Sequence, residues 1–531
     1  MAGERSPGEE RVRTAEVIAS LCLATDLGMG FPFEHGLHGT LATMRLCDAL
    51  GVDSTTASCT YYAALLLHVG CTTDAELAAH IFHGSMTRTG VHRRFGSPFE
   101  VTAGALAALP DPDARWPVRA FQFTAGLPRA ARFRKPHFVA ICDVAEMLAV
   151  QLGLPPSIHA LFPLLTERWD GRSELRRARA DEIPLPLRIA QVGRDAAYQR
   201  LVGDTGHVVE TVRSRGGHAF DPTVVQAFVD SATDILGDDD ADSVWDAVLA
   251  AEPEPWLTLA DDAIDRALAA MGAFSDLASP YLSGHASGVG ELAAQAGTLI
   301  GLGDSSVTAI RRAGYIHDLG RTAVHPRVWE KPGPLTADEW EQVRLHPYHT
   351  ERVFFRSPLL GPLAKLACAH HERLDGSGYH RGVGARSLPP AARLLAAADV
   401  FHAKTEPRAY REAHSPAEAA DITVGRAKEG KLDPEMVSAV IEAAGGKAPP
   451  VERPAGLTER EAAVVALLAR GLQTKHVARA LGISAKTADR HIQNAYRKMG
   501  VSSRAAATLF AAEHGLTAWG EFPIPTEQGR P

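Results

Sequence analysis

The residues best placed to do chemistry are histidines and aspartates from one part of the chain: His285, the adjacent pair His317-Asp318, His346, the pair His370-His371, and Asp399. Imidazole nitrogens and carboxylate oxygens are ligands for hard or borderline divalent cations. A neighbouring His-Asp pair can chelate, and one carboxylate has two oxygens with which to bridge two metals. Two metals held in this way polarise a phosphoryl group and lower the pKa of a bound water, which supplies hydroxide at neutral pH. A lone histidine on a helix implies nothing of the kind, since a satisfied structural histidine is the commoner case. The implication lies in the set.

A second set is basic. Lys486, Thr487, Arg490, His491 and Asn494, followed by Arg497-Lys498, fall on the polar side of one helical stretch, while Ala488, Ile492, Ala495 and Met499 recur at helical spacing on the other. Lys, Arg and Asn hydrogen-bond phosphates and base edges. The stretch follows a short helical segment over 474–481 and a turn at Gly482-Ile483, with Ser484 as the expected N-cap. That is a helix-turn-helix, whose second helix enters the major groove. Thr458 and Glu461 spell a capping box ahead of it. The alternative reading is a small bundle with a solvated basic face.

These sets need elements to hold them. The chain has 531 residues, 45% hydrophobic and 22% charged, with a net charge of −8. That length implies about three domains, and the composition excludes wholesale disorder. No run approaches the roughly 18 apolar residues of a membrane span, and the first residues lack the apolar core of a signal peptide. Six cysteines without a CxxC pair fit reduced thiols. Together these features predict a cytoplasmic protein with no membrane partner. Apolar residues recur at three- and four-residue intervals almost throughout, so the expected fold is all-α.

The chain also repeats itself. ERWDGRSELRRARADEIPLPLRIAQ (167–191) resembles ERLDGSGYHRGVGARSLPPAARLLA (372–396), FDPTVVQAF (220–228) echoes LDPEMVSAV (432–440), and HGLHGTLATMRLCDALGV (35–52) matches HASGVGELAAQAGTLIGL (285–302). Three matches in one order predict two copies of a helical domain, over 15–235 and 260–446, separated by the acidic stretch 238–243. A Gly/Pro-rich linker at 445–456 precedes a third domain over 455–518. Residues 451–515 hold ten basic and five acidic residues, a charge of +5, which leaves −13 on the rest. The acidity of the whole chain therefore does not argue against nucleic acid as a partner of the tail.

YIHDLGRTAVHP (315–326), HHERLDGSGYH (370–380) and AADVF (397–401) resemble the HD-GYP family of metal-dependent phosphohydrolases, over roughly residues 275–445. Many members hydrolyse cyclic di-GMP, and the family is all-helical. The resemblance implies two divalent ions, manganese, iron or another. His285, His317, Asp318 and Asp399 would hold one, and Asp318 would bridge to a second held by His346, His370 and His371. Arg321 stands where the family has a phosphate-contacting lysine, and Arg408 and Arg411 match basic positions that approach the substrate phosphates. This sequence departs from the pattern at the GYP tip, which is Gly378-Tyr379-His380, at Tyr281 in place of a third-metal glutamate, and at His402 in place of an aspartate.

The first copy has lost the ligands. His35 matches His285, but Leu67 and His68 stand opposite His317-Asp318, and Leu165-Thr166 opposite His370-His371; the counterpart of Asp399 is either Arg194 or Asp195. The expectation is a degenerate copy that serves as a dimerisation surface or ligand sensor, with ERWDG kept for packing and Trp169 in the core. The tail, LTEREAAVVALLARG with VARALGISAKTADRHIQNAYRKMGVSSRAAA, resembles the LuxR-type DNA-binding domain, which implies four helices and binding of double-stranded DNA as a dimer. The expected protein is a homodimeric regulator with a metal-dependent phosphohydrolase module acting on a phosphorylated nucleotide, a cyclic dinucleotide in particular. The alternatives are a catalytically inactive HD sensor that controls DNA binding, and an enzyme whose tail binds other proteins.

Overall fold

The computed structural model describes residues 10–72, 81–82, 94–237, 243–447, 453–514 and 516. The acidic stretch at 238–242, the middle of the linker at 448–452, and residues 517–518 of the expected tail domain lie outside the described residues. Helices supply nearly all the regular structure. The strands described are Arg11–Arg13 and Thr258–Ala260, which pair antiparallel. All six cysteines are free. The chain divides into two compact units, one of Met1–Ser283 with Leu319–Gly361, the other of Gly284–Asp318 with Pro362–Pro531.

In the first unit the Thr14–Met29 helix is buried at nearly every position from Thr14 to Asp26, as befits a helix that is apolar on all sides. The helices His35–Leu50, Ser54–Leu66 and Leu185–Gln199 pack on one another. Arg188 donates to Asp221 Oδ2 at 2.6 Å, and Asp221 also caps the Pro222–Asp230 helix; one ion pair thus fastens two helix starts. The backbone N–H of Trp169 donates to Ala219 O at 3.0 Å. Trp169 is half-buried, with the Arg188 guanidinium 5.5 Å from the centre of its ring. Trp169 is therefore an edge residue under an arginine rather than the core residue expected.

The second unit, taken by itself, has the helices His285–Leu299, Asp304–Ile316, Pro390–Thr405, Pro416–Lys428 and Pro434–Ala443. Arg393 donates to Asp433 Oδ2 at 3.2 Å, Asp433 caps the Pro434–Ala443 helix, and Leu374 N–H donates to Lys431 O at 3.1 Å. The fastening is that of the first unit, residue for residue. His285–Leu299 and Asp304–Ile316 cross where two glycines meet: a Cβ on Gly314 would lie 2.4 Å from the Gly290 Cα. Only glycine on both sides permits that approach, and it brings the His285 and His317 rings to 5.3 Å.

The tail folds as four helices, Glu459–Ala469, Thr474–Ala480, Ala485–Met499 and Arg504–Glu513. Thr458 and Glu461 form the capping box, and Ser484 accepts from Thr487 N–H as N-cap. Val464, Leu468, Val477, Ala478, Ala488 and Ile492 form one core cluster, and Leu457, Ala462, Val465, Ala469, Ala495 and Ala511 another.

Candidate functional site

Six of the seven expected ligands converge inside the second unit, each delivered by a helix terminus or a helix face. His285 opens its helix, and His317-Asp318 close the Asp304–Ile316 helix. His370-His371 follow the Leu360–Ala367 helix, and Asp399 sits on the buried face of Pro390–Thr405. His285, His317 and His370 are fully buried, Asp318 and Asp399 nearly so.

The carboxylates of Asp318 and Asp399 lie between the imidazoles. Asp318 Oδ2 is 2.9 Å from His317 Nε2 and 3.4 Å from His285 Nε2, while its Oδ1 is 3.3 Å from His370 Nε2. Asp399 Oδ1 lies 3.4 Å from His285 Nε2, and its Oδ2 3.8 Å from His371 Nδ1. Each carboxylate therefore turns one oxygen to the His285–His317 side and the other to the His370-His371 side.

Hydrogen bonds on the far side of the rings fix what these nitrogens can do. His317 Nδ1 is 2.6 Å from Gly314 O, and His370 Nδ1 is 2.7 Å from Ala367 O. A carbonyl only accepts, so both Nδ1 atoms carry the proton, and a neutral ring then aims the Nε2 lone pair inward. Burial pushes His370 down to about 4, against the smaller opposing pull of Asp318, so the ring is neutral at pH 7. Lone pairs that face carboxylate oxygens at these distances repel unless a cation stands among them. The donor set fits a divalent ion.

His285 is held differently, by a residue that the sequence reading missed. As the first residue of its helix it has no preceding turn to bond, and its Nδ1 lies 2.9 Å from Glu406 Oε2. Glu406 also sits 3.2 Å from His402 Nδ1 and accepts from Arg408 Nη2 at 2.8 Å. A carboxylate behind a metal-facing histidine fixes its tautomer and raises its basicity. His402, one helical turn before Glu406, is thus part of that support.

The remaining expected residues are distributed as follows. Arg408 points to Glu406 and is 12% exposed. Arg411 does not face the cluster as expected: its Nη1 donates to the carbonyls of Lys404, Glu406 and Glu412, and its Nη2 to that of Ala403. It closes the C-terminus of the Pro390–Thr405 helix, where a cation is favoured. His346 and Arg321 belong to the first unit. His346 heads the His346–Phe354 helix, buried, with Nδ1 2.6 Å from Val343 O, and Arg321 lies 5.2 Å from the centre of the Trp329 ring.

The loop after His370-His371 is shaped by Glu372, which is buried and accepts from Arg381 N–H at 2.8 Å and Val383 N–H at 2.9 Å. A Cβ on Gly378 would lie 2.5 Å from Arg373 N, which explains the glycine in the altered tip whatever residue follows the tyrosine.

In the tail, Lys486, Arg490 and Arg497 are exposed on the Ala485–Met499 helix, with Thr487, His491 and Asn494 half-buried beside them. The Thr487 hydroxyl is engaged with Ser484 Oγ at 2.8 Å. Lys498 is turned back into the domain, donating to Glu461 Oε2 at 2.6 Å and to Gly456 O at 2.9 Å. The exposed cations form the surface; Lys498 ties it to the first helix of the tail.

Known families match where these features lie. The HD domain family matches residues 273–436, and the luxR family of bacterial regulatory proteins matches residues 455–511. A 3'3'-cGAMP-specific phosphodiesterase of Vibrio cholerae is 25% identical over 437 residues, 81% of this chain and 94% of the relative. A cyclic di-GMP phosphodiesterase of Thermotoga maritima is 33% identical over 192 residues, 36% of this chain and 52% of that protein. The crystal structure of a cyclic GMP-AMP-specific phosphodiesterase of Vibrio cholerae, 22% identical, covers 82% of this chain and 98% of its own with a TM-score of 0.57, a likeness of fold. The chain is thus an HD-domain protein, homologous to HD-GYP cyclic-nucleotide phosphodiesterases, that ends in a luxR-family DNA-binding domain.

Proposed function

We propose that the chain is a metal-dependent cyclic-dinucleotide phosphodiesterase coupled to a DNA-binding tail. The observation that carries this reading is the convergence of imidazole Nε2 atoms, their Nδ1 atoms turned to backbone carbonyls, on two shared carboxylates, a socket suited to a cation. Two divalent ions are assigned: His285, His317, Asp318 and Asp399 would hold one, and Asp318, His370, His371 and, from the family resemblance, His346 the other. When bound, such ions supply Lewis acidity toward a phosphoryl oxygen and a deprotonated water. The protein's own part is to fix each imidazole tautomer, to exclude bulk water from a buried cluster, and to spread Asp318 across both sides. Arg321 and Arg408 are assigned to the substrate's phosphate charge.

The tail is assigned to double-stranded DNA, with Lys486, Arg490 and Arg497 leading the contacts. Readers of this type bind paired half-sites, so the protein is proposed to act as a homodimer. Among the described residues no helix is long and apolar enough to cross a membrane, in keeping with a cytoplasmic assignment. Residues 15–235 are proposed to be a degenerate copy of 260–446, on the strength of the repeated Arg188–Asp221 and Arg393–Asp433 fastening.

A second reading makes the HD region a ligand-gated sensor without turnover. It draws on the inward turn of Arg411 and on His380 at the altered tip. The two readings separate when metal-loaded protein is incubated with cyclic di-GMP and 3'3'-cGAMP and the products are resolved by chromatography. Linear dinucleotide or mononucleotide, lost in Asp318→Ala, supports the enzyme; ligand-dependent duplex binding with no product supports the sensor.

A further inference from the structure

The first unit contains a buried cluster that the proposed function leaves without a role. Its centre is Arg194, which is 1% exposed. The Arg194 Nη2 lies 2.9 Å from His68 Nδ1, and its Nη1 donates to Gly36 O and, at 3.5 Å, to His35 O. His35 and His68 are themselves buried, as is Asp26, whose Oδ2 accepts from Gly36 N–H at 2.8 Å. Phe31 and Tyr198 close over the His35 ring at 4.9 Å and 5.8 Å. A guanidinium taken out of water at this depth is costly unless its surroundings are built around a positive charge.

The register of the helices says what stands in its place in the second unit. Both the Leu185–Gln199 and Pro390–Thr405 helices begin after a proline, and each sends an early arginine to the aspartate that caps a later helix. Counted from those arginines, Arg194 and Asp399 occupy the same position, which settles the choice between Arg194 and Asp195. The neighbours correspond as well. His35 opens its helix as His285 does, and His68 follows the Ser54–Leu66 helix as Asp318 follows Asp304–Ile316. Asp399 approaches His285 Nε2 at 3.4 Å from one side of the cation socket. Arg194 instead extends its side chain to His68, toward the position where an ion would be shared.

We propose that Arg194 is a built-in cation that replaces the divalent ion in the first unit, closing that site to metal while preserving the charge around which its helices pack. The proposal rests on the reading of the first unit as a degenerate copy. It predicts one metal-binding unit per chain and a first unit indifferent to chelators. It also predicts that restoring the carboxylate lets a metal bind, because His68 Nδ1 would lose the Arg194 guanidinium it now faces and meet a carboxylate in its place.

The test uses the full-length chain with its second-unit socket disabled by Asp318→Ala and His370→Ala, which together reach both proposed ion sets, and cobalt(II) alone as the probe. In this background the chain is expected to bind no cobalt, and adding Arg194→Asp is expected to give one ion per chain, with ligand-field absorption from nitrogen and oxygen donors. Cobalt bound in the first unit while Arg194 is intact would overturn the degenerate-copy reading itself. A folded Arg194→Asp protein that gains no cobalt would overturn only the replacement proposal. If Arg194→Asp does not fold, a thermodynamic cycle on the otherwise native chain decides. At pH 8, where the Asp26 carboxyl is ionised, Arg194→Met combined with Asp26→Asn is expected to be more stable than the sum of the single losses, since the pair removes a charge and its counter-charge together. Strict additivity would overturn the proposal.

Discussion

Replacing Glu406 tests the metal centre without touching a ligand. Its Oε2 sits 2.9 Å from His285 Nδ1, and its own position is fixed by His402 and by Arg408. A hydrogen bond to a charged group contributes about 1.5–3 kcal/mol and a neutral one about 0.5–1.5 kcal/mol. Glu406→Gln keeps the shape and can still accept from Nδ1 but loses the charge, a difference of about 1–1.5 kcal/mol. Glu406→Ala loses the interaction and frees the imidazole to adopt the other tautomer, at about 2–3 kcal/mol. At about 1.4 kcal/mol per tenfold, the first should weaken metal about tenfold and the second about a hundredfold, the range seen for carboxylates behind metal-bound histidines. The assay is competition between metal-free protein and a chelating dye for manganese(II) and zinc(II), with circular dichroism to verify the fold. Affinities within twofold of the native chain for both variants would refute the argument that Glu406 orients His285.

Three further outcomes follow from the geometry. Lys486→Ala with Arg490→Ala should abolish duplex binding with little change in tail stability, whereas Lys498→Ala should lower stability by about 1 kcal/mol, as read by electrophoretic shift and thermal melting side by side. Burial raises the Asp26 carboxyl to about 7, so the folded state holds a proton that the unfolded chain releases near pH 4. The stabilisation is complete below about pH 4 and fades as pH rises toward 7, at up to about 1.4 kcal/mol per pH unit; Asp26→Asn should flatten the dependence of the denaturation midpoint on pH. Gly314→Ala should separate the helices that bring His285 and His317 together, since its Cβ would lie 2.4 Å from the Gly290 Cα, and metal affinity should fall along with stability.

Much of this arrangement is legible in the chain itself. The alternation of Ala488, Ile492 and Ala495 with Lys486, Arg490 and Asn494 predicts which side of the tail helix is buried, and Thr458 and Ser484 sit at the caps their types predict. The clustering of His285, His317, Asp318, His370, His371 and Asp399 is readable because all six belong to one ordered motif. Glu406 is not, because a glutamate just past a helix end bears no spacing relation to a histidine 121 residues away. Arg411 and Lys498 are basic residues in basic motifs, and only the packed structure shows that their donors go to carbonyls and to Glu461. The sequence spacing alone does not choose between Arg194 and Asp195 as the counterpart of Asp399, for a one-residue choice in a helix needs an anchor. The Arg188–Asp221 pair supplies it.

The central claim is that buried imidazoles and shared carboxylates form a metal centre that cleaves a cyclic dinucleotide. The most direct measurement takes metal content and cyclic-dinucleotide hydrolysis on one preparation of the full chain, native and Asp318→Ala. The account predicts two divalent ions per native chain, metal-dependent release of a linear product, and loss of both in Asp318→Ala. Native protein that carries its ions yet cleaves neither cyclic di-GMP nor 3'3'-cGAMP would contradict it.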